Sequence, residues 1–451
     1  MCGICGLVGQ ADSETISSML GTIAHRGPDD SGVYVTETSR GETVGLGHRR
    51  LSIIDLSAAG HQPMSSLDGR IWLTFNGEIY NYLEIRQDLI SRGHRFRSNT
   101  DSEVIIAAYQ EWGEQCVIRF NGMFAFAIWD ITLEKLFIAR DRLGVKPVYY
   151  AQTKQGFAFA SEIKALLTLG LPREIDLSAL HQYLTFLWVP DPKTLFQGVY
   201  KLPPAHYLSY QRGEMVVTEY WDIKFDEDNR HTEEYWADAV LASLRAATKS
   251  QLVSDVPLGA FLSGGIDSSS IVALMYKATG RQVNTYTIGF TSEDLSYDVI
   301  PDDVKYARQV GKLFKTNYHE TILKPEVFDL LPKLIWHMDE PIADPAIITS
   351  FLICRAARET LTVLLSGMGG DEIFAGYPRH LAVKLAEIYN LVPSQVTQMI
   401  VSALPASKPG PFNSILRNLH KLAKSANLPF QAQYLGYGTY FTNEEKQKLY
   451  S

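Results

Sequence analysis

The first 210 or so residues carry short apolar runs cut by Gly, Asn and Asp clusters. Examples are 71–75 (IWLTF), 123–130 (MFAFAIWD), 135–140 (KLFIAR) and 148–152 (VYYAQ). Such runs predict strands. Helical periodicity interleaves them at 81–93 and 101–113, where Asp101 and Ser102 open the second run and Gly113 closes it. Near residue 190 the texture changes. The Pro-rich stretches VPDP (189–192) and KLPPAHY (201–207) lead into the polar DIKFDEDNRHTEEYW (222–236). This predicts a domain boundary between about 215 and 232, giving domains 1–215 and 232–451. Beyond it a helix is expected over 233–251, then strands and helices alternate. They are strand 257–262, helix 268–280, strand 284–290, a helix near 301–314 and strand 361–367. Alternation of that kind predicts a parallel sheet. The expected fold class is therefore α+β followed by α/β, in two domains.

Bulk properties narrow the function. The chain of 451 residues has 42 Lys and Arg against 50 Asp and Glu, a formal net charge of −8. That balance argues against binding nucleic acid through bulk positive charge. Four cysteines do not make a disulfide framework and suit a reducing cytoplasm. No apolar run approaches the roughly 18 residues of a membrane span, and the start, MCGICGLVGQ, has no signal-peptide pattern. A cytoplasmic enzyme with no membrane partner is the expectation.

Cys2 follows Met1. Removal of Met1 would give one residue both a thiol and a free α-amine. With a reference pKa of about 7.7–8.0, that amine can act as the adjacent base. On its own, Cys2 also fits an inert cysteine or one half of a C-x-x-C pair with Cys5.

The segments around it decide between these. In order the chain carries MCGICG (1–6), HRGPDD (25–30), HRRLSIIDLSAAGHQPM (48–64), NGEIYN (76–81), SNTDSEVI (98–105), RDRLGVKPVYY (140–150) and SEIKALL (161–167). This series resembles the class II glutamine amidotransferase domain of glutamine-hydrolysing asparagine synthetases, across essentially the whole first half. The resemblance implies an N-terminal-nucleophile fold, a sandwich of two sheets between helical layers. It implies Cys2 as nucleophile on the glutamine side-chain amide, with Asn76 and the backbone of Gly77 as oxyanion hole. Arg50 would hold the substrate α-carboxylate, a task suited to a bidentate fork. Leu51, Ser52, Ile53 and Ile54 would line the same wall. Glu78 and Asp101 would hold the α-ammonium. His25 and His48 are expected to be structural.

In the second half, SGGIDSS (263–269) follows an apolar strand and opens a helix. Small residues there let backbone amides approach an anion. The stretch 255–275 resembles the pyrophosphate loop of ATP-pyrophosphatase enzymes in its asparagine synthetase form. Ser263, Gly264, Gly265, Asp267, Ser268 and Ser269 would cradle the ATP phosphates. Phe261, Leu262 and Ile288 would flank adenine, and Ser366 and Gly367 would also touch the nucleotide. Asp267 and Asp371 would bind Mg²⁺. DEPIADPA (339–346) resembles the segment near the aspartate pocket. The implied reaction converts glutamine, aspartate and ATP to asparagine, glutamate, AMP and pyrophosphate. A homodimer is the family's suggestion.

Two departures from the family pattern stand out. Met368 occupies a position where the family carries an acid, with Glu372 as a nearby substitute. The chain also stops earlier than family members do, so an incomplete second domain is expected. The alternatives are an amidotransferase for another carboxylate, or a ligase-impaired homologue that binds glutamine or nucleotide in regulation.

Overall fold

In the computed structural model, strand periodicity of two builds the first half. The described residues are 1–289, 303–322, 328–389 and 428–450. Strands β1 (Gly3–Gly9), β2 (Asp30–Glu37), β3 (Thr43–Arg50), β8 (Tyr149–Thr153), β9 (Gly156–Ala160) and β10 (Val199–Lys201) form one sheet in the order β10-β8-β9-β1-β3-β2. Strands β4 (Met64–Ser65), β5 (Ile71–Ile79), β6 (Gly122–Asp130), β7 (Lys135–Arg140), β11 (His206–Gln211) and β12 (Glu214–Glu219) form a second, in the order β12-β11-β7-β6-β5-β4. Every pairing in both sheets is antiparallel.

Alternate residues of each strand go to different cores. From β1, Ile4 and Val8 join Ala125, Ala127 and Trp129 of β6 in a layer between the sheets. Cys5 and Leu7 point the other way and pack on Ile16, Met19 and Leu20 of the helix Ser13–Thr22. From β6, Phe124, Phe126 and Ile128 pack on Val104, Ile105 and Ala108 of the helix Asp101–Trp112. The result is helix, sheet, sheet, helix: the N-terminal-nucleophile sandwich.

Two local features differ from the sequence reading. The strand expected to end at 75 runs on to Ile79, so Asn76, Gly77 and Glu78 lie in β5 rather than in a loop. The hairpin β11–β12 was hidden behind the Pro-rich stretch. Its turn uses Arg212 and Gly213, both at positive φ (54° and 85°). Arginine seldom adopts that conformation, so the usual turn signal is missing.

The second half has a sheet of strands β13 (Leu258–Phe261), β14 (Asn284–Gly289), β15 (Asn317–Ile322) and β16 (Val363–Leu365), ordered β15-β14-β13-β16. All three pairings are parallel. The helix after β13 spans Ile266–Thr279 and the next Asp303–Leu313. Phe290, expected at the end of β14, and residues 301–302 of the next helix lie outside the described residues. The chain forms two compact units: Met1–Leu180 with Val189–Ser366, and His181–Trp188 with Gly367–Ser451. The first holds all three sheets. In the second, the helix Asn443–Leu449 buries Lys446, whose Nζ lies 2.7 Å from Thr185 Oγ1 and 2.9 Å from His181 Nε2.

Candidate active site

Cys2 sits at the mouth of β1, held from both sides. Its carbonyl accepts from Arg26 Nε at 2.8 Å. Its Sγ lies 3.4 Å from the Leu51 nitrogen and 3.6 Å from the Leu51 oxygen. Burial pushes the Cys2 thiol above its ordinary pKa, so a base is needed to make the thiolate. Arg26 also bonds Glu162 at 2.8 Å, and Glu162 takes His25 Nε2 at 2.9 Å. Burial alone would raise the Glu162 carboxyl. The His25 hydrogen bond and the charges of Arg26 and Lys164 instead bring it down to about 2. His25 is thereby a structural partner of Glu162. His48 is buried and lowered to about 4 by that burial. Its Nε2 sits 3.0 Å from the Phe75 oxygen, which ties β3 to β5 in the neutral state.

One cleft brings together Cys2, Arg50, Leu51, Ile53, Ile54, Asn76, Gly77, Glu78 and Asp101. Ser52 does not line it; its N–H donates instead to Asp29 at 2.8 Å. Arg50 ends β3. Its guanidinium is aimed by the carbonyls of Ser57 (3.1 Å), Ile54 (3.4 Å) and Asp55. Gly60 makes room for it, since a Cβ there would stand 1.9 Å from Arg50 Nη2.

Asn76 lines the cleft with a buried side-chain amide. It is 1% exposed, and neither atom of its side-chain amide has a partner among the described residues. A buried polar group left unpaired costs about 1–3 kcal/mol. A substrate oxygen in the cleft would satisfy the N–H side.

Glu78 and Asp101 supply the opposite charge. Asp101 opens its helix, capped by Thr100, and accepts from the Ile79 N–H at 3.0 Å. Burial raises Asp101 to about 6. Burial, then the neighbouring charge of Asp101, raises Glu78 to about 7. The sign of the pH dependence follows. A carboxyl whose folded pKa is raised stabilises the protein below its unfolded pKa. That contribution is lost as pH rises through 6 to 7. A bound ammonium reverses the preference by favouring the ionised pair. Glutamine is thus expected to raise the melting temperature of an inactive Cys2→Ala protein more at pH 7.5 than at pH 5.5. Its affinity should fall by up to about tenfold per pH unit between pH 7 and 6, and by up to about a hundredfold per unit below pH 6, where both carboxyls must lose a proton. Thermal shift against glutamine at both pH values checks this; equal shifts would sink it.

The sequence reading missed Arg26, Gly60, Gln62 and Lys146. Gln62 lines the cleft, with Oε1 accepting from the Phe75 N–H at 2.8 Å and Nε2 donating to Ser102 at 3.1 Å. Lys146 is buried and lines the cleft, its pKa lowered by burial. Asp141 places it by accepting N–H bonds from Leu143, Val145 and Lys146 at 2.9–3.1 Å. The signal was present in RDRLGVKP, an acid followed by Gly in a tight loop. Lys146 Nζ lies 3.3 Å from Met1 Sδ, so Met1 also occupies the cleft wall.

The expected nucleotide residues lie at the carboxyl end of the parallel sheet. Strand order reverses between β13 and β16, the switch point where such sheets take ligands. Ser263 Oγ and Ser268 Oγ are 2.9 Å apart, and the Gly265 N–H points at Ser263 Oγ at 3.3 Å. No side chain caps the N-terminus of the helix Ile266–Thr279, so its amides are available to an anion. Gly264 has φ +83°, and a Cβ there would fall 2.4 Å from the Ala307 nitrogen. Ser269 Oγ is buried with no partner among the described residues. Phe261 and Ile288 share one apolar cluster, whereas Leu262 is buried in another. Asp267 lies in the first turn of the helix after the loop. Ser366 follows β16.

In the second unit, Gly367 precedes Met368, which is 90% exposed. Asp371 Oδ1 lies over Gly376, where a Cβ would come within 1.9 Å. Glu372 accepts from Tyr377 OH at 2.5 Å, a bond that lowers its pKa. No cluster of three or more His, Cys, Asp or Glu able to hold a metal occurs among the described residues. No helix among them is long and apolar enough to cross a membrane.

Fold and cleft together define an N-terminal-nucleophile amidotransferase half joined to an ATP-pyrophosphatase-type half. Residues 1–221 match the family model "Glutamine amidotransferase domain", and residues 239–448 match "Asparagine synthase". Asparagine synthetase [glutamine-hydrolyzing] 1 of Bacillus subtilis is 35% identical over all of this chain and 69% of its own length. A putative asparagine synthetase of Methanocaldococcus jannaschii is 35% identical over 90% of this chain and 81% of its own. Amidase chry2 of Gibberella zeae is 32% identical over 85% of this chain, which spans 58% of that protein. The chain belongs to the glutamine-hydrolysing asparagine synthetase family.

Proposed function

We propose that this protein makes asparagine from aspartate, with glutamine as nitrogen donor and ATP as activator. The observation that carries the glutamine half is the cleft: a nucleophile, an unpartnered buried amide and charges of both signs on one lining.

With Met1 in place the Cys2 nitrogen is an amide and cannot act as a base, so Met1 must be removed. The freed α-amine takes the thiol proton as Sγ attacks the glutamine side-chain carbonyl. Asn76 Nδ2 and the Gly77 N–H stabilise the resulting oxyanion. The amine then returns the proton to the departing ammonia, leaving a thioester on Cys2. Water releases glutamate. Arg50 holds the α-carboxylate, and Glu78 with Asp101 holds the α-ammonium.

In the second half the aspartate β-carboxylate attacks the α-phosphorus of ATP. Pyrophosphate leaves and β-aspartyl-AMP forms. Ammonia, delivered internally so that it is not protonated, attacks the acyl carbon and displaces AMP. The 263–269 loop binds the phosphates. Asp267 and Asp371 would hold Mg²⁺, which neutralises phosphate charge. Hard carboxylate oxygens suit Mg²⁺, which takes its remaining ligands from phosphates and water.

The test supplies glutamine, aspartate and ATP with Mg²⁺, and follows glutamate, pyrophosphate and asparagine separately. All three are expected. Glutamate without pyrophosphate rejects the synthetase reading. Pyrophosphate only with another acid favours the second reading, an amidotransferase for a different carboxylate. Two observations favour that alternative: the amidase among the relatives, and Met368 where the family has an acid. Met368→Glu is expected to raise the rate of pyrophosphate release about 10-fold or more, because a positioned acid–base group commonly contributes about 10²–10⁴-fold. An unchanged rate would mean that Glu372 or another group already serves.

A further inference from the structure

The acidic start of the segment 339–346 is engaged by the antiparallel half. Asp339 follows the helix Leu331–Met338, and the next helix begins at Ala346. Asp339 Oδ1 pairs with Lys164 Nζ at 2.8 Å, and its Oδ2 accepts from the Ile163 N–H at 2.6 Å. Glu340 repeats the pattern: Oε2 pairs with Lys201 Nζ at 3.0 Å and Oε1 accepts from the Leu195 N–H at 2.6 Å. The four side chains are only 7–13% exposed, so salt screens these pairs little. Lys201 is itself aimed by the Val189 carbonyl at 2.6 Å.

Each carboxylate thus spends both oxygens on the other half of the protein. Residues 342–345 follow these two attachments and wall a cleft with Leu334, Met338 and Ile348. Asp339 also holds a left-handed backbone, φ 63°, a conformation that its two bonds maintain.

We propose that Lys164 and Lys201 are positioning residues for the acceptor. They hold the 339–346 segment from the amidotransferase half, and so set the shape of the carboxylate-acceptor pocket in the ATP-using half. The proposal rests on reading that segment as the acceptor wall.

The test uses the full chain with ammonia as nitrogen source. Lys201→Met is the main variant, because Lys164 also bonds Glu162. Removing one partner of a buried pair strands the other. The double variant Lys201→Met with Glu340→Gln therefore serves as control. Both are expected to raise the aspartate KM for pyrophosphate release at least about fivefold. ATP KM and glutamine hydrolysis should stay unchanged. Amide exchange at Ile342–Asp344 should quicken, and Lys201→Arg should restore the wild-type aspartate KM. An unchanged aspartate KM, with or without faster exchange, overturns the proposal. Failure of the function reading looks different. The wild-type chain would then release no pyrophosphate with any carboxylate, and the proposal would fall with it.

Discussion

Cys2→Ala is expected to lower glutamine hydrolysis by about 10⁴-fold or more, to below detection, as loss of a nucleophile does in other acyl-transfer enzymes. The thioester cannot form without Sγ, and no other thiol can replace it: Cys5 and Cys116 are fully buried, and Cys354 lies on the helix Ala346–Ala357. The same variant should keep ammonia-supported amide formation near the wild-type rate, because the 263–269 loop and the 339–346 segment do not use Cys2. Glutamate release from glutamine and amide formation from ammonium chloride, measured side by side, check both halves. Loss of both activities would contradict separate sites. Mass spectrometry of the active protein adds a second condition: a mature chain that retains Met1 would exclude the α-amine as base.

Asn76→Ala is the second large effect. Loss of one oxyanion donor commonly lowers kcat about 10²–10³-fold, or about 2.7–4 kcal/mol. The KM for glutamine should change little, because Arg50, Glu78 and Asp101 still bind its main-chain groups. Stability sharpens this prediction. The Asn76 amide makes no hydrogen bond to a described residue, so truncation breaks no side-chain hydrogen bond to them. The melting temperature should therefore hold within a few degrees while kcat collapses. A parallel loss of stability and activity would assign Asn76 to the scaffold.

Much of the lining of the candidate cleft could be singled out before any coordinates. The motif series located Cys2, Arg50, Asn76, Gly77, Glu78 and Asp101, and one cleft gathers all six. What escaped were residues whose role is set by neighbours distant in sequence. Gly60 is the last of four small residues in a row until Arg50 is seen to need its missing Cβ. Lys146 is an ordinary loop lysine until Asp141 curls the loop and turns it into the cleft. The β11–β12 hairpin was obscured because its turn places Arg212 at positive φ, where composition gives little warning.

Local sequence determined what local physics can determine. The period-two alternation of β1 and β6 decides which face of each strand is apolar and where it must be buried. The loop 263–269 between a strand and a helix marks an anion site because small residues and helix amides act over a few ångströms. The positions of chemistry-bearing residues were likewise written in the chain. Tertiary structure alone decided which charges meet. Burial in a shared cleft, absent from any short segment, raises Glu78 and Asp101 to about 7 and 6. The pairing of Asp339 with Lys164 spans 175 residues and that of Glu340 with Lys201 spans 139. A carboxylate's environment is a sum over neighbours in space, and the sequence orders neighbours only along the chain.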